Sequence, residues 1–295
     1  MSQKHVNIFG IKLDSTNKVR VLRTVREKIS RYNDKKICYS PFYIVTPNPE
    51  IVSSAKVDQK LSNILNAADI SIPDGIGLAA ANKYNQMWNP TNKIVRFPVI
   101  LGQGMVVGFA ILFKRDWITK DFQIIRGREI FFDLLTLANK KRWKVYFLGG
   151  YDKKTTKELE KNISKNLKSV TIDYDMGPTY DDLAKPINSE ESKKHKKVIE
   201  KINNQSPHLL FIGLGSPKQE RWMENYLSNV NIGGAMVVGR TFEFYAETSK
   251  VAPSWMADVG LEWLYRLFTG STSLKRILTA FPLFPLRVFG DKLTS

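Results

Sequence analysis

An α/β fold with a largely parallel sheet is what the 295-residue sequence predicts, and three observations predict it. Short apolar runs alternate with amphipathic stretches of helical period, as in strands joined by crossover helices. The runs read as continuous apolar blocks, the pattern of strands covered on both faces. Gly, Pro and Asp mark the exits of these runs, where loops lead into helices.

Val6 to Leu13 reads as a strand, followed by a turn and an amphipathic helix from about Thr16 to Tyr32. Further strands are expected at Phe42–Val45, Ala68–Ile72, Val145–Leu148, Val170–Ile172, Leu209–Ile212 and Ala235–Val238. Helices are expected near 50–66, 127–141, 153–167, 191–204 and 217–228. There is no internal repeat or low-complexity tract. The basic run Lys193–Lys197 fits a solvated helix face.

Two segments break the pattern. Residues 97–113 carry no charge and lie between Arg96 and Lys114-Arg115; they contain Gln103, Gly102, Gly104 and Gly108. This is the short limit for a membrane span. A membrane-dipping or interfacial hairpin is the preferred reading, with a span and a soluble core element as alternatives. The C-terminal tail, Leu261 to Ser295, mixes Trp263, Phe268, Phe281, Phe284 and Phe289 with Arg266, Arg276 and Arg287. Such amphipathic turns suit a bilayer interface; a helix packed on the sheet or on a second subunit is the alternative. The expected organisation is a main domain over 1–250, with an apolar insertion at about 95–120, and a membrane-associating appendage over 251–295.

Composition narrows the partners. Lys and Arg number 45 against 28 Asp and Glu, a formal net charge of +17. Such a field attracts phosphate-rich partners: nucleic acid, an anionic bilayer, or a nucleotide or diphosphate ligand. No nucleic-acid-binding module is present and the charge is spread along the chain, so nucleic acid is not expected. Cys38 is the single cysteine, which excludes an intramolecular disulfide and suits a reducing compartment. His5, His195 and His208 are not at metal-ligand spacing, so no structural zinc is expected. The segment from Met1 to His5 has no apolar core of a secretion signal, and the catalytic part is expected in the cytosol.

In open parallel sheets ligands bind beyond the carboxyl ends of the strands. At the first such exit stands Thr46-Pro47-Asn48-Pro49-Glu50. Asn48 suits a helix cap and Pro49 the first turn, while Thr46 and Asn48 also offer hydroxyl and amide groups to a sugar or nucleobase. At the next stands Pro73-Asp74-Gly75-Ile76-Gly77. Asp74 reads either as a turn or cap residue, or as a carboxylate in a partly dry cleft suited to a general base. Gly149-Gly150 would let backbone amides approach an anion at a helix start. In Gly213-Leu214-Gly215-Ser216-Pro217-Lys218-Gln219-Glu220, Ser216 reads as an N-cap and Gln219 as its capping-box partner. The same turn, with Gly215 and Lys218, is an anion cradle for a diphosphate, although it matches neither the Walker loop nor the dinucleotide fingerprint. Asp173-Tyr174-Asp175 reads as an exposed strand end rather than a metal site.

Taken together and in this order, these loops resemble the WecG/TagA/CpsF glycosyltransferase family, whose characterised type is N-acetylmannosaminyltransferase-like. The resemblance rests on Val6–Leu13, Thr46–Glu50, Pro73–Gly77, Tyr146–Gly150, Gly213–Trp222, Gly239–Ala246, Ala252–Trp255 and Gly260–Leu267, over nearly the whole chain. It implies a Rossmann-like domain, a UDP-sugar donor, an undecaprenyl-diphosphate-linked sugar acceptor, and inversion at the anomeric carbon with no metal or other cofactor. It further implies a place at the cytoplasmic face of the membrane, in cell-surface polysaccharide or teichoic-acid-type synthesis; assembly into a homo-oligomer is left open. Carried over by residue, Asp74 resembles the general base, Thr46, Asn48 and Gln219 donor-pocket residues, and Arg266 and Arg276 tail arginines that neutralise the leaving diphosphate. Glu243 stands where the family has Asp. Arg240 replaces a Gly and Val251 an Arg, and a family arginine falls at Ile124, with Arg126 and Arg128 as substitutes. These departures motivate an alternative, a catalytically weakened member serving as a membrane-associated partner protein.

Overall fold

The computed structural model describes residues 4–34, 38–150, 152–246, 252–253, 256, 262–269 and 274–295. Six parallel strands form the central sheet in the order β4-β3-β8-β7-β5-β6: β3 (Phe42–Val45), β4 (Ile70–Ser71), β5 (Lys144–Gly149), β6 (Thr171–Asp175), β7 (Leu209–Gly213) and β8 (Gly234–Val237). The expected α/β, Rossmann-like architecture is therefore present.

Alternate strand residues face opposite layers, as the period of two requires. Phe42, Ile44, Val145, Phe147, Leu209 and Phe211 pack with α1 (Lys18–Tyr32), α7 (Gly127–Lys141) and α8 (Lys153–Asn166). Val45, Tyr146, Leu148, Leu210 and Ile212 face the other way. There they meet α2 (Pro49–Ala55), α3 (Gln59–Asn66), α4 (Ile76–Gln86), α9 (Ser189–Gln205) and α10 (Lys218–Tyr226). With both faces covered, continuous apolar strands are what burial demands.

Three local expectations are corrected. Val6 to Leu13 is not one strand but a hairpin, β1 (His5–Ile8) against β2 (Ile11–Asp14), turning at Phe9 and Gly10, both at positive φ. Two consecutive residues with positive φ match the twist of a tight hairpin. The helix expected over 50–66 is two, because Asp58 starts a new one by accepting from the Leu61 N–H at 3.0 Å.

The third correction concerns the apolar segment. It is no hairpin but one 21-residue helix, α5 (Lys93–Phe113), capped by Asn92 and followed by α6 (Arg115–Thr119). One face holds it against the domain: Ile100, Val107 and Ala110 are buried. The opposite face is apolar and exposed, with Ile94, Phe97, Met105, Phe109 and Phe113 standing out. Among the described residues, α5 is the helix long and apolar enough to cross a membrane.

After β8 come α11 (Thr241–Tyr245), α12 (Glu262–Phe268), α13 (Leu274–Leu278), a π-turn at Thr279–Leu283, and α14 (Phe284–Thr294). The tail is helical, as expected. Its last helix is fastened to the domain. Lys292 Nζ donates to the Tyr84 and Met87 carbonyls and to the Gln103 amide oxygen Oε1. Arg287 donates to the Ser53 carbonyl and hydroxyl, both at 2.7 Å, and Arg96 to the Leu293 carbonyl at 3.0 Å. Phe284 and Val288 thereby join the main core.

Candidate active site

Strand exits carry the site because each apolar strand must end where its backbone leaves the sheet, and the next helix starts with polar, cappable residues. The exits of β3, β4, β7 and β8 converge on a cavity of about 760 Å³, within the range of small-molecule sites. Its lining brings together Thr46, Asn48, Asp74, Gly75, Gly215, Ser216, Gln219 and Arg276, residues up to 230 positions apart in the sequence.

Both readings of Asn48 hold. Its Oδ1 accepts from the Ile51 N–H at 2.8 Å, capping α2, and the residue still lines the cavity. Asp74 is different. The cap position of α4 belongs to Gly75, at φ +102°, and no side chain caps that helix. Asp74 instead is half-buried, and its Oδ2 accepts from the Gly127 N–H at 3.1 Å, at the first turn of α7. The positive end of a helix suits an ionised carboxylate. Gly127 approaches Thr46 so closely that a Cβ there would sit 3.0 Å from the threonine side chain. That contact joins the β3 exit to the start of α7 and sets Asp74 beside Thr46.

The turn after β7 departs from the expected capping box. α10 begins at Lys218 with Pro217 in the cap position and no side-chain cap. Gln219 is buried and used otherwise: its Nε2 donates to Glu220 Oε1 at 3.0 Å, and its Oε1 accepts from the Gly239 N–H at 3.0 Å. This clamps the β7 and β8 exits together. Glu220 is fully buried, and burial raises its pKa, with the hydrogen bond from Gln219 opposing.

Four expected residues are not in the lining. Lys218 donates to the Tyr180 carbonyl at 3.0 Å and lies near Asp182, away from the cavity. Gly149 and Gly150 are excluded because the β5 exit is closed over by β7: a Cβ on Gly149 would meet the Gly213 carbonyl at 2.6 Å. Glu243 does not reach the lining but grips a residue that does, accepting from Arg240 Nε at 3.0 and 3.1 Å. The two departures at 240 and 243 are thus one ion pair. Arg266 belongs to α12, and its side chain, like Val251, lies outside the described residues.

The expected tail arginine is in place: Arg276 Nε donates to Glu50 Oε1 at 2.6 Å, so the tail reaches the β3 loop through a charge pair. Arg126 and Arg128, expected as substitutes for a family arginine, line the cavity as well. Sequence reasoning did not assign Arg115, Arg240 and Thr241 to the site, and they line it too. Nothing local marks Arg115, which only the path of α5 brings in.

A parallel sheet with a cavity beyond its carboxyl ends, furnished with the acids Asp74 and Glu50, side-chain amides and a set of arginines, is the ligand-binding arrangement of an open α/β enzyme fold. The sequence profile of the Glycosyl transferase WecG/TagA/CpsF family matches residues 6–95 and 95–295, so the chain belongs to that family and is a glycosyltransferase. Among its relatives is an N-acetylglucosaminyldiphosphoundecaprenol N-acetyl-beta-D-mannosaminyltransferase of Bacillus subtilis, 27% identical over 88% of this chain and 83% of that protein. Proteins with the same name from Bacillus spizizenii and Staphylococcus aureus are 25% and 22% identical. They cover 80% and 96% of this chain, and 75% and 91% of their own lengths.

Proposed function

We propose that the protein transfers an N-acetylhexosamine, N-acetylmannosamine or its uronate, from UDP to a sugar carried on a lipid diphosphate, inverting the anomeric carbon. The observation that supports this reading best is the Asp74 carboxylate, held by the Gly127 N–H within the same cavity as Thr46, Asn48, Gln219 and Arg276. Asp74 accepts the proton of the acceptor hydroxyl as its oxygen attacks the anomeric carbon. The bond from that carbon to the UDP phosphate oxygen breaks, and the sugar ends on the opposite face. In this reading no metal is needed: the start of α10 and the cavity arginines, Arg276 foremost, take up the charge on the leaving diphosphate. Thr46, Asn48 and Gln219 orient the donor, and Arg266 is assigned to the same closing tail by its position in α12.

The relatives are named for an undecaprenol-linked sugar acceptor, which supports a reading in which this protein works at a membrane surface. In our reading α5 and the tail rest on the cytoplasmic face of an anionic membrane, with cell-surface polymer synthesis as the setting. α5 lies along the interface rather than crossing, because its inner face is packed on α4 and α14. The exposed Lys93 and Lys114 stand at its ends, where they meet anionic headgroups.

The test is a screen of UDP-sugars against a short-chain lipid-diphosphate-GlcNAc acceptor, read by mass spectrometry. A product heavier by one N-acetylhexosamine or its uronate, with UDP released, is expected. Absence of transfer from every UDP-sugar would overturn the reading.

A further inference from the structure

The cavity has a second half that sugar transfer alone does not require. Beyond Asp74 it continues as an apolar arm between α4, α5 and α14. Ala80 and Ala81 form one wall, Val107 and Ile111 a second, and Phe284 and Val288 a third. Five of these six side chains are buried, so the arm is part of the folded interior rather than a surface dent. Gly104 and Gly108, one helical turn apart on α5, complete the wall and keep the arm open. A Cβ added at Gly108 would meet nothing within 4 Å, and one at Gly104 only the Tyr84 ring at 3.8 Å.

We infer that this arm binds the isoprenoid chain of the acceptor, seating the units next to the diphosphate and leading the remainder out to the bilayer. The inference rests on the proposed transfer to a lipid-linked sugar and gives that lipid its path. Three features select a hydrocarbon chain as the occupant. The Tyr84 hydroxyl, a polar atom of the arm, donates to the Ile100 carbonyl at 3.1 Å. A peptide in the arm would therefore lack partners for its own backbone groups, a cost that a hydrocarbon avoids. The arm is continuous with the charged end, where Arg115, Arg126 and Arg276 line the same cavity, which matches a ligand with a diphosphate head and an apolar tail. Finally, the helices that form it carry exposed apolar residues on their outer sides, Met105 and Phe109 on α5 and Leu286 on α14. A chain leaving the arm passes directly into the environment those residues fit.

Binding of soluble probes tests this without any sugar transfer. Farnesyl diphosphate and inorganic diphosphate are titrated against the full-length protein below the critical micelle concentration of the lipid, by calorimetry. The farnesyl probe is expected to bind at least tenfold more tightly, since each buried methylene contributes roughly 0.8 kcal/mol, about a fourfold gain. Gly104→Leu, whose side chain starts 3.8 Å from the Tyr84 ring of the arm, is expected to remove that preference and leave inorganic diphosphate binding unchanged. Gly102→Leu is the control, because Gly102 is on the same helix, outside the cavity, with nothing within 4 Å of its added Cβ. Equal affinity for the two probes, no binding of either, or an undiminished preference in Gly104→Leu would overturn the inference. Failure of the UDP-sugar screen alone would instead remove the proposed reaction and leave a tail-dependent site in place.

Discussion

The two ends of the cavity are built by different means. At the charged end, side chains hang from strand exits and helix starts, and backbone groups fix them: Gly127 N–H on Asp74, Gly239 N–H on Gln219. At the apolar end, the walls are helix faces held by a few long-range polar bolts, Lys292, Arg287 and Arg96. The first arrangement gives positional accuracy, because a sheet moves little. The second is a wall of packed helices joined to the domain through side-chain contacts.

Substitutions that separate rate from stability test that contrast. Asp74→Asn is expected to lower turnover about a thousandfold while donor binding and melting temperature stay near wild type, measured by steady-state kinetics and calorimetry. Wild-type turnover would break the assignment of the base. Arg276→Ala is expected to lower kcat about a hundredfold, as for loss of one group that stabilises developing charge. A change confined to KM would assign Arg276 to ground-state binding instead.

At the other end, the expected signature is reversed. Lys292→Met leaves two carbonyls and the Gln103 amide oxygen without their shared donor, and about 2 kcal/mol of unfolding free energy is expected to be lost. Denaturant titration measures it. A drop in kcat with unchanged stability would make the two ends a single unit. Phe109→Ser with Phe113→Ser is expected to weaken sedimentation with phosphatidylglycerol vesicles severalfold, with turnover on a short-chain acceptor preserved.

The smallest effect concerns pH. Burial lowers the pKa of both His195 and His208 below the ordinary value of about 6.5. The folded state thus holds them neutral while the unfolded chain takes up protons. Their contribution is present above that value and is lost as pH falls. Thermal melts from pH 7 to 5 are expected to show a shallow decline that diminishes in His208→Gln.

Much of the site was legible at the sequence level because it sits on loops whose composition betrays them. The exits Thr46–Glu50 and Pro73–Gly77 stand out against flanking apolar strands, and both line the cavity. Lys218 misled because its position beside a helix start says nothing of which way a long side chain turns, and it turned to Tyr180. Gly149-Gly150 misled because a glycine pair also permits two strand exits to close on each other. The hairpin expected at 97–113 failed for a related reason: glycines there open a wall rather than bend the chain, and burial of one face keeps the helix continuous.

By itself the sequence determined the alternation of strands and helices, the identity of the family and the loops at which polar groups gather, since all three follow from local pattern and order along the chain. Only the tertiary structure decided that Asp74 leaves the cap of α4 to meet α7, that Arg276 returns across the sheet to Glu50, and that α5 and α14 enclose an apolar arm. Those are contacts between distant segments. Their partners are chosen by which faces remain unburied once the sheet has formed, and no local window of residues contains that information.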